Sequence, residues 1–163
     1  MPEDPTHPDQ IERIDTWAAG GEGTALWLNA TGVALGDAAI AILGASGTGK
    51  STLALSLLAL GATLIADDGL WLDTATHPAR LRRPDTARDL IEARGIGLLN
   101  AGPTRAAAPL GFLVDLDRAE PHRLPPRRYV AIGDGHYPLI LGAGKHTLAP
   151  SLFLMARHGR AEP

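Results

Sequence analysis

The chain has no cysteine. That removes disulfides, thiolate metal sites and a cysteine nucleophile from consideration. Aromatic residues make up only 4% of it, so the core must be built from Ala, Leu, Ile and Val. No apolar run approaches the ~20 residues of a membrane span. The start shows no basic segment leading into an apolar core, as a secretory leader would. The expectation is therefore a cytoplasmic protein. A surplus of positive charge is missing too: the net charge is −3, which argues against a nucleic-acid partner. What remains is ordinary globular composition over 163 residues, enough for one domain with a real core. Residues 1–20 are expected to be a mobile N-terminal tail, the first ten being polar with three prolines. Residues 21–163 are expected to form a single catalytic domain.

The most informative stretch is Gly44-Ala45-Ser46-Gly47-Thr48-Gly49-Lys50-Ser51, followed by Thr52. It is a full G-x-x-x-x-G-K-[ST] match. Its glycines let successive N–H groups turn inward around phosphate oxygens. Lys50 can reach the β- and γ-phosphates, and the Ser51 hydroxyl can ligate Mg²⁺. Residues 38–43 before it are an apolar run of strand length. Residues 52–60 after it are helix-forming. Strand, glycine loop and helix together place a triphosphate at a helix N-terminus. ATP and Mg²⁺ are the implied cofactors.

Two further strands are expected ahead of that run, over 24–28 and 31–35, giving an antiparallel meander that feeds the loop. Gly61 stops the helix. A buried strand over 62–66 ends in Asp67-Asp68, and residues 70–72 form the next strand. Residues 73–83 read as a hairpin or loop. Pro84-Asp85 reads as the start of a short helix through Leu90. Strands are expected over 95–100, 110–116 and 138–141, with a loop over 121–128 and a terminal helix within 146–157.

A glycine loop binds phosphate but does not choose a reaction. Phosphoryl transfer also needs carboxylates on the metal side, a group to orient the acceptor, and positive charge. Asp67 and Asp68 end a strand beside the loop, where carboxylates can face the γ-phosphate or Mg²⁺. Strand alternation sends them in opposite directions, so their roles should differ. Glu92 can close the metal site. Arg80, Arg82 and Arg83 read as a solvated hairpin. Trp17, Trp27 and Trp71 read as partly buried packing residues. The six histidines show no metal-ligand spacing.

From about Asn29 to Leu154 the chain resembles the catalytic domain of the bacterial HPr kinase/phosphorylase family. The carriers are the glycine loop, its distance to Leu64-Ile65-Ala66-Asp67-Asp68, the segment Glu92-Ala93-Arg94-Gly95-Ile96-Gly97, and weaker matches at Arg123 and Gly144-Lys145. The short length is similar to family members without the usual N-terminal domain. The resemblance implies an α/β P-loop kinase domain with a mixed sheet like that of phosphoenolpyruvate carboxykinase. It implies that Lys50 binds phosphates, that Ser51 and Glu92 hold Mg²⁺, with Asp67 on the metal side, and that Asp68 takes the proton from a serine hydroxyl. Arg123 matches a catalytic arginine on a mobile loop. Asn29 stands where the family has a catalytic histidine, and asparagine cannot take up a proton near neutral pH.

The expected function is therefore Mg²⁺-dependent transfer of the γ-phosphoryl group of ATP to a serine hydroxyl on a small protein similar to HPr. Two alternatives stand beside it. One is a kinase of a small hydroxyl-bearing metabolite. The other is a nucleotide-binding regulatory module without catalysis. A homo-oligomer is compatible with the Leu-rich surfaces.

Overall fold

The computed structural model describes residues 10–161. In chain order the strands are β1 (Gln10–Arg13), β2 (Ala18–Glu22), β3 (Ala25–Leu28), β4 (Thr31–Leu35) and β5 (Ala38–Leu43). Helix α1 (Lys50–Ala59) follows. Then come β6 (Thr63–Ala66), β7 (Leu70–Asp73), β8 (Arg80–Arg82), β9 (Leu90–Ala93), β10 (Gly97–Asn100), β11 (Ala107–Asp115), β12 (Arg128–Ile132) and β13 (Gly135–Leu141). Helix α2 (Leu148–His158) closes the chain.

The meander ahead of the glycine loop forms as its pattern predicts. Asp37 and Gly36 (φ +62°) turn the chain between β4 and β5, which pair antiparallel from Thr31–Ile42 to Leu35–Ala38. Every residue of β4 is buried, so it reads as a continuous apolar run rather than an alternation. β4 also pairs antiparallel with β6. On its other edge β5 pairs parallel with β11, and β11 pairs parallel with β13. Leu43, Asp115 and Leu141 thus lie side by side at three parallel carboxyl ends.

β11 joins two parts of a mixed, curled sheet. Its first residues pair antiparallel with β8, and the path continues through β7 and β3 to β2. The register shifts between Leu110 and Phe112. Gly111 sits at that irregularity, where a Cβ would lie 3.0 Å from Ala38 Cβ and 3.3 Å from the Ala39 carbonyl. A side chain would push β5 away at the place where the strand changes partners. One apolar cluster gathers Leu28, Leu70, Leu72, Leu81 and Leu113. A second gathers Leu53, Leu57, Leu64, Ile91, Leu148 and Leu152, with both helices packed into it. The sheet therefore holds the loop between β5 and α1 on a rigid base.

Three expectations are corrected. The tail does not extend to residue 20. Residues 1–9 lie outside the described residues, but β1 pairs parallel with β12 and β2 pairs antiparallel with β3. Gln10–Arg13 has no apolar alternation, so the partner strand makes it a strand. The short helix from Pro84 is absent: a turn at Asp85-Thr86 leads into β9, which forms an antiparallel hairpin with β10. Pro84 does suit a helix start, but Ile91 and Ala93 bury on one face at strand spacing, and cross-strand pairing wins. Finally, β8 and β12 arise where a loop or nothing regular was expected. In the arginine cluster Arg82 bridges Asp73 at 3.1 Å while staying exposed, and Arg83 bridges Asp89 at 2.8 Å.

Glu120 anchors the segment between β11 and β12. Its side chain is 4% exposed. It accepts from Arg128 Nε at 2.9 Å and Nη2 at 3.1 Å, and from the His122 N–H at 3.1 Å. Burial alone would raise its carboxyl pKa, but the hydrogen bonds from Arg128 and His122 outweigh that and lower it from 4.5 to about 2. The folded protein thus favours the ionised form, a contribution present above pH 4.5 and lost as pH falls from there towards 2. Glu120→Gln should cost about 3 kcal/mol near neutral pH, and the gap from the parent should close in acid. Denaturant titrations of both proteins across that range check this; a gap that stays constant with pH would contradict it.

Candidate functional site

Gly44 carries φ +147°, and a Cβ there would lie 2.5 Å from Thr48 Oγ1. The loop closes on itself through Thr48, whose N–H and Oγ1 donate to the Ala45 carbonyl at 3.2 and 2.7 Å. Gly47 and Gly49 also hold positive φ, 85° and 101°. Helix α1 begins at Lys50, earlier than the apolar pattern implied, with Gly49 as its cap residue. Lys50 Nζ donates to the carbonyls of Gly44 at 2.7 Å and Ala45 at 3.1 Å. It therefore lies over the loop, where incoming phosphate oxygens can take the place of those carbonyls.

Asp67 and Asp68 are both at the site, but not through strand alternation, since β6 ends at Ala66. Asp67 accepts from Ser51 Oγ at 2.9 and 3.0 Å and from the buried Thr31 Oγ1 at 2.8 Å. That ties β4, β6 and the first turn of α1 together. Asp68 takes φ +63°, the left-handed region that aspartate and asparagine tolerate better than most residues. Asp68 lines three cavities, two of them bordered by the glycine loop and one shared with Asp67.

The first of these, about 200 Å³, is lined by Ser46, Gly47, Gly49, Lys50, Ser51 and Thr52 together with Asp68, Glu92 and Arg94. The second, about 430 Å³, lies between Gly44–Ser46, Lys50, Asp68, Asn29, Trp17 and Asp117. The third, about 340 Å³, has Asp67, Asp68, Glu92, Trp27 and Arg88 in its wall. Lys50, Ser51, Asp68 and Glu92 therefore meet at one cavity, and Asn29 shares another with Lys50 and Asp68. Arg123 is not brought in: it is exposed on the β11–β12 segment and lines none of these three cavities.

Sequence reasoning missed several wall residues. Asp117 accepts from the Ala45 N–H at 3.0 Å and pins the start of the loop. An acid just beyond the buried strand that ends at Asp115 was a readable sign of it. Arg94 sits two residues from Glu92 in a segment already singled out. Trp17 and Trp27 are partly buried as expected, yet each also walls a cavity. Trp27 packs edge-on against Trp71 at 4.9 Å and donates its indole N–H to Asn29 Oδ1 at 3.3 Å.

Gly69 is required by this packing. It has φ +135°, and a Cβ there would lie 2.3 Å from Trp27 Cζ2. Gly69→Ala should displace the ring, disturb the adjacent Asp68 turn, and cost about 2 kcal/mol or more in stability. A denaturant midpoint equal to that of the parent would show that the ring and turn adapt freely.

The donors present suit Mg²⁺. They are a hydroxyl and carboxylates, all hard oxygens. Among the described residues no group of three His, Asp or Glu side chains forms a cage of its own. Mg²⁺ is commonly held in just this way, by one or two carboxylates plus substrate phosphates. Ser51, Asp67 and Glu92 would hold it here.

Residues 28–105, which contain the loop, both aspartates and Glu92, match the model of the HPr Serine kinase C-terminal domain. Within this stretch, just under half of its length, the chain is similar to that family. The HPr kinase/phosphorylase of Brevibacillus brevis is 34% identical over 96 residues, which cover 54% of this chain and 30% of that protein. The HPr kinase/phosphorylase of Azoarcus sp. is 39% identical over 94 residues, 53% of this chain and 30% of its own length. The similarity to these relatives thus spans about a third of their length. The solved structure of the Hpr(Ser) kinase/phosphatase from Coxiella burnetii superposes with a TM-score of 0.66 at 21% identity, covering 80% of this chain and 93% of that one. It shows that the α/β fold with its mixed sheet is shared. Among the described residues no helix is long and apolar enough to cross a membrane.

Proposed function

We propose that this chain is an HPr kinase-like phosphotransferase that moves the γ-phosphoryl group of ATP to a serine hydroxyl on a small protein similar to HPr. One observation carries the reading: Lys50, Ser51, Asp68 and Glu92 line a single cavity at the glycine loop, with Asp67 hydrogen-bonded to Ser51. The loop N–H groups and Lys50 hold the phosphates. Ser51, Asp67 and Glu92 would hold Mg²⁺, which would supply charge neutralisation to the transferring phosphoryl group. Asp68 accepts the proton of the attacking hydroxyl as the new oxygen–phosphorus bond forms and the bond to the ADP oxygen breaks. Asn29, whose Oδ1 already receives the Trp27 N–H, keeps its amide N–H groups available to orient an oxygen in the neighbouring cavity. Positioning and charge stabilisation are most of what such a transfer needs.

A second reading has support of its own. The cavity walled by Trp27 and Arg88 beside Asp68 measures about 340 Å³, the size of a small-molecule site. A hydroxyl metabolite is therefore the alternative acceptor. Incubation with γ-labelled ATP and Mg²⁺, with an HPr-type protein and a panel of hydroxyl compounds, followed by mass spectrometry, separates the two. ATP binding without label transfer to any acceptor would leave only a nucleotide-binding module.

A further inference from the structure

We infer that the N-terminal strand belongs to the transfer site: Arg118 ties it to the glycine loop and holds Trp17 as the wall against which the acceptor is positioned. The inference rests on the kinase reading and adds a positioning unit to it. Of the three cavities that Asp68 lines, the one of about 200 Å³ holds the metal-side residues Ser51 and Glu92. The one of about 340 Å³ lacks Lys50. The cavity of about 430 Å³ has Lys50, Asp68 and Asn29 in its wall. A hydroxyl there reaches both the proton acceptor and the cation that serves the γ-phosphate. Trp17 is the aromatic ring of that wall, and it is half-buried, with surface left for an acceptor.

Trp17 does not come from the strands that carry the loop. It follows β1 after one turn of 3-10 helix over Ile14–Thr16, and its N–H donates to the Ile14 carbonyl at 3.0 Å. Arg118 fixes it. The guanidinium lies 5.9 Å from the Trp17 ring centroid. Its two terminal nitrogens donate to both carboxylate oxygens of Glu12 on β1, at 2.8 and 3.1 Å. Its Nε donates to Asp115 Oδ2 at 2.7 Å. Asp115 is buried at the end of β11, and its Oδ1 accepts the Asp117 N–H at 2.8 Å. Asp117 in turn accepts the Ala45 N–H of the glycine loop. Glu12, Arg118, Asp115, Asp117 and Ala45 are thus linked in series, with Trp17 resting against the guanidinium. A lone surface ion pair would fix little, but this guanidinium is held bidentate on one side and by a buried carboxylate on the other. β1 needs the tie, because it ends the sheet and pairs there with β12.

The test measures phosphoryl transfer from ATP to an HPr-type protein, with acceptor and ATP varied separately, in the whole chain and its variants. Trp17→Ala should raise the acceptor KM about tenfold or more, with kcat within about threefold and ATP affinity within about twofold. Trp17→Phe keeps a ring and should recover most of the loss. Arg118→Lys keeps the charge but loses the fork, so its acceptor KM should rise about threefold or more. A merely structural role predicts a different pattern: fewer folded molecules lower kcat and leave both KM values alone. Should Trp17→Ala fail to fold, Arg118→Lys carries the same comparison. A parental acceptor KM in the folded variants, or an equal loss of ATP affinity, would overturn the inference. If the parent chain binds ATP and transfers nothing to the HPr-type protein, the kinase reading itself fails and takes this one with it.

Discussion

Asp68→Asn is expected to bind ATP as the parent does and to transfer phosphoryl groups at least about 10²-fold more slowly, the scale for loss of a positioned base. The choice of asparagine follows from the backbone. Asp68 sits at φ +63°, and asparagine tolerates that region as aspartate does. Alanine there would add a backbone penalty of about 1 kcal/mol and mix a folding effect with a chemical one. Asparagine also keeps the size and one oxygen of the side chain, so the cavities should keep their shape. Only the ability to accept a proton is lost. ATP affinity and single-turnover rate are measured separately. If affinity falls and the rate at saturation does not, Asp68 holds metal or backbone instead of taking the proton. Asp68→Gly gives a control in the other direction: it removes the carboxylate and relieves the left-handed strain, so it should be inactive and no less stable.

The parts of this fold that were legible in the sequence are those where local and tertiary forces agree. Residues 38–43 and 63–66 are apolar runs of strand length, and the glycines between Leu43 and Lys50 allow one loop type. Gly61 ends α1 with the left-handed φ of +105° expected of a C-terminal stop. The illegible parts depend on a distant partner. Gln10–Arg13 is a strand because β12 lies beside it, more than a hundred residues along the chain. Leu90–Ala93 follows a helix-start signal and still forms a hairpin, because Ile91 must bury under α1 in the second apolar cluster. The site divides the same way. Lys50, Ser51, Asp67, Asp68 and Glu92 carry their meaning in short segments at fixed spacing. Asp117 and Trp17 reach the loop only through the sheet. The placement of Arg123 depends on the segment that Glu120 and Arg128 tie down, and nothing local announces that tie.

Lys50→Ala should lose both tight ATP binding and transfer, with turnover down about 10²–10³-fold, the scale for removing one preorganised donor to developing charge. The fold should not change. Lys50 makes its two hydrogen bonds to the loop carbonyls of Gly44 and Ala45, and Ala45 is exposed, so water can replace the ammonium there. The loop keeps its shape through Thr48 on Ala45 and through Asp117 on the Ala45 N–H, neither of which needs Lys50. Alanine also suits the first turn of a helix. The two variants thus separate two functions of one cavity: Asp68→Asn keeps the nucleotide and loses the chemistry, whereas Lys50→Ala loses both. Calorimetry with ATP, a transfer assay with labelled ATP and a thermal melt distinguish the cases. Full transfer by Lys50→Ala at ordinary ATP concentrations would remove the lysine from the phosphate site. A melt lowered by several degrees would show instead that its bonds to Gly44 and Ala45 hold the loop together.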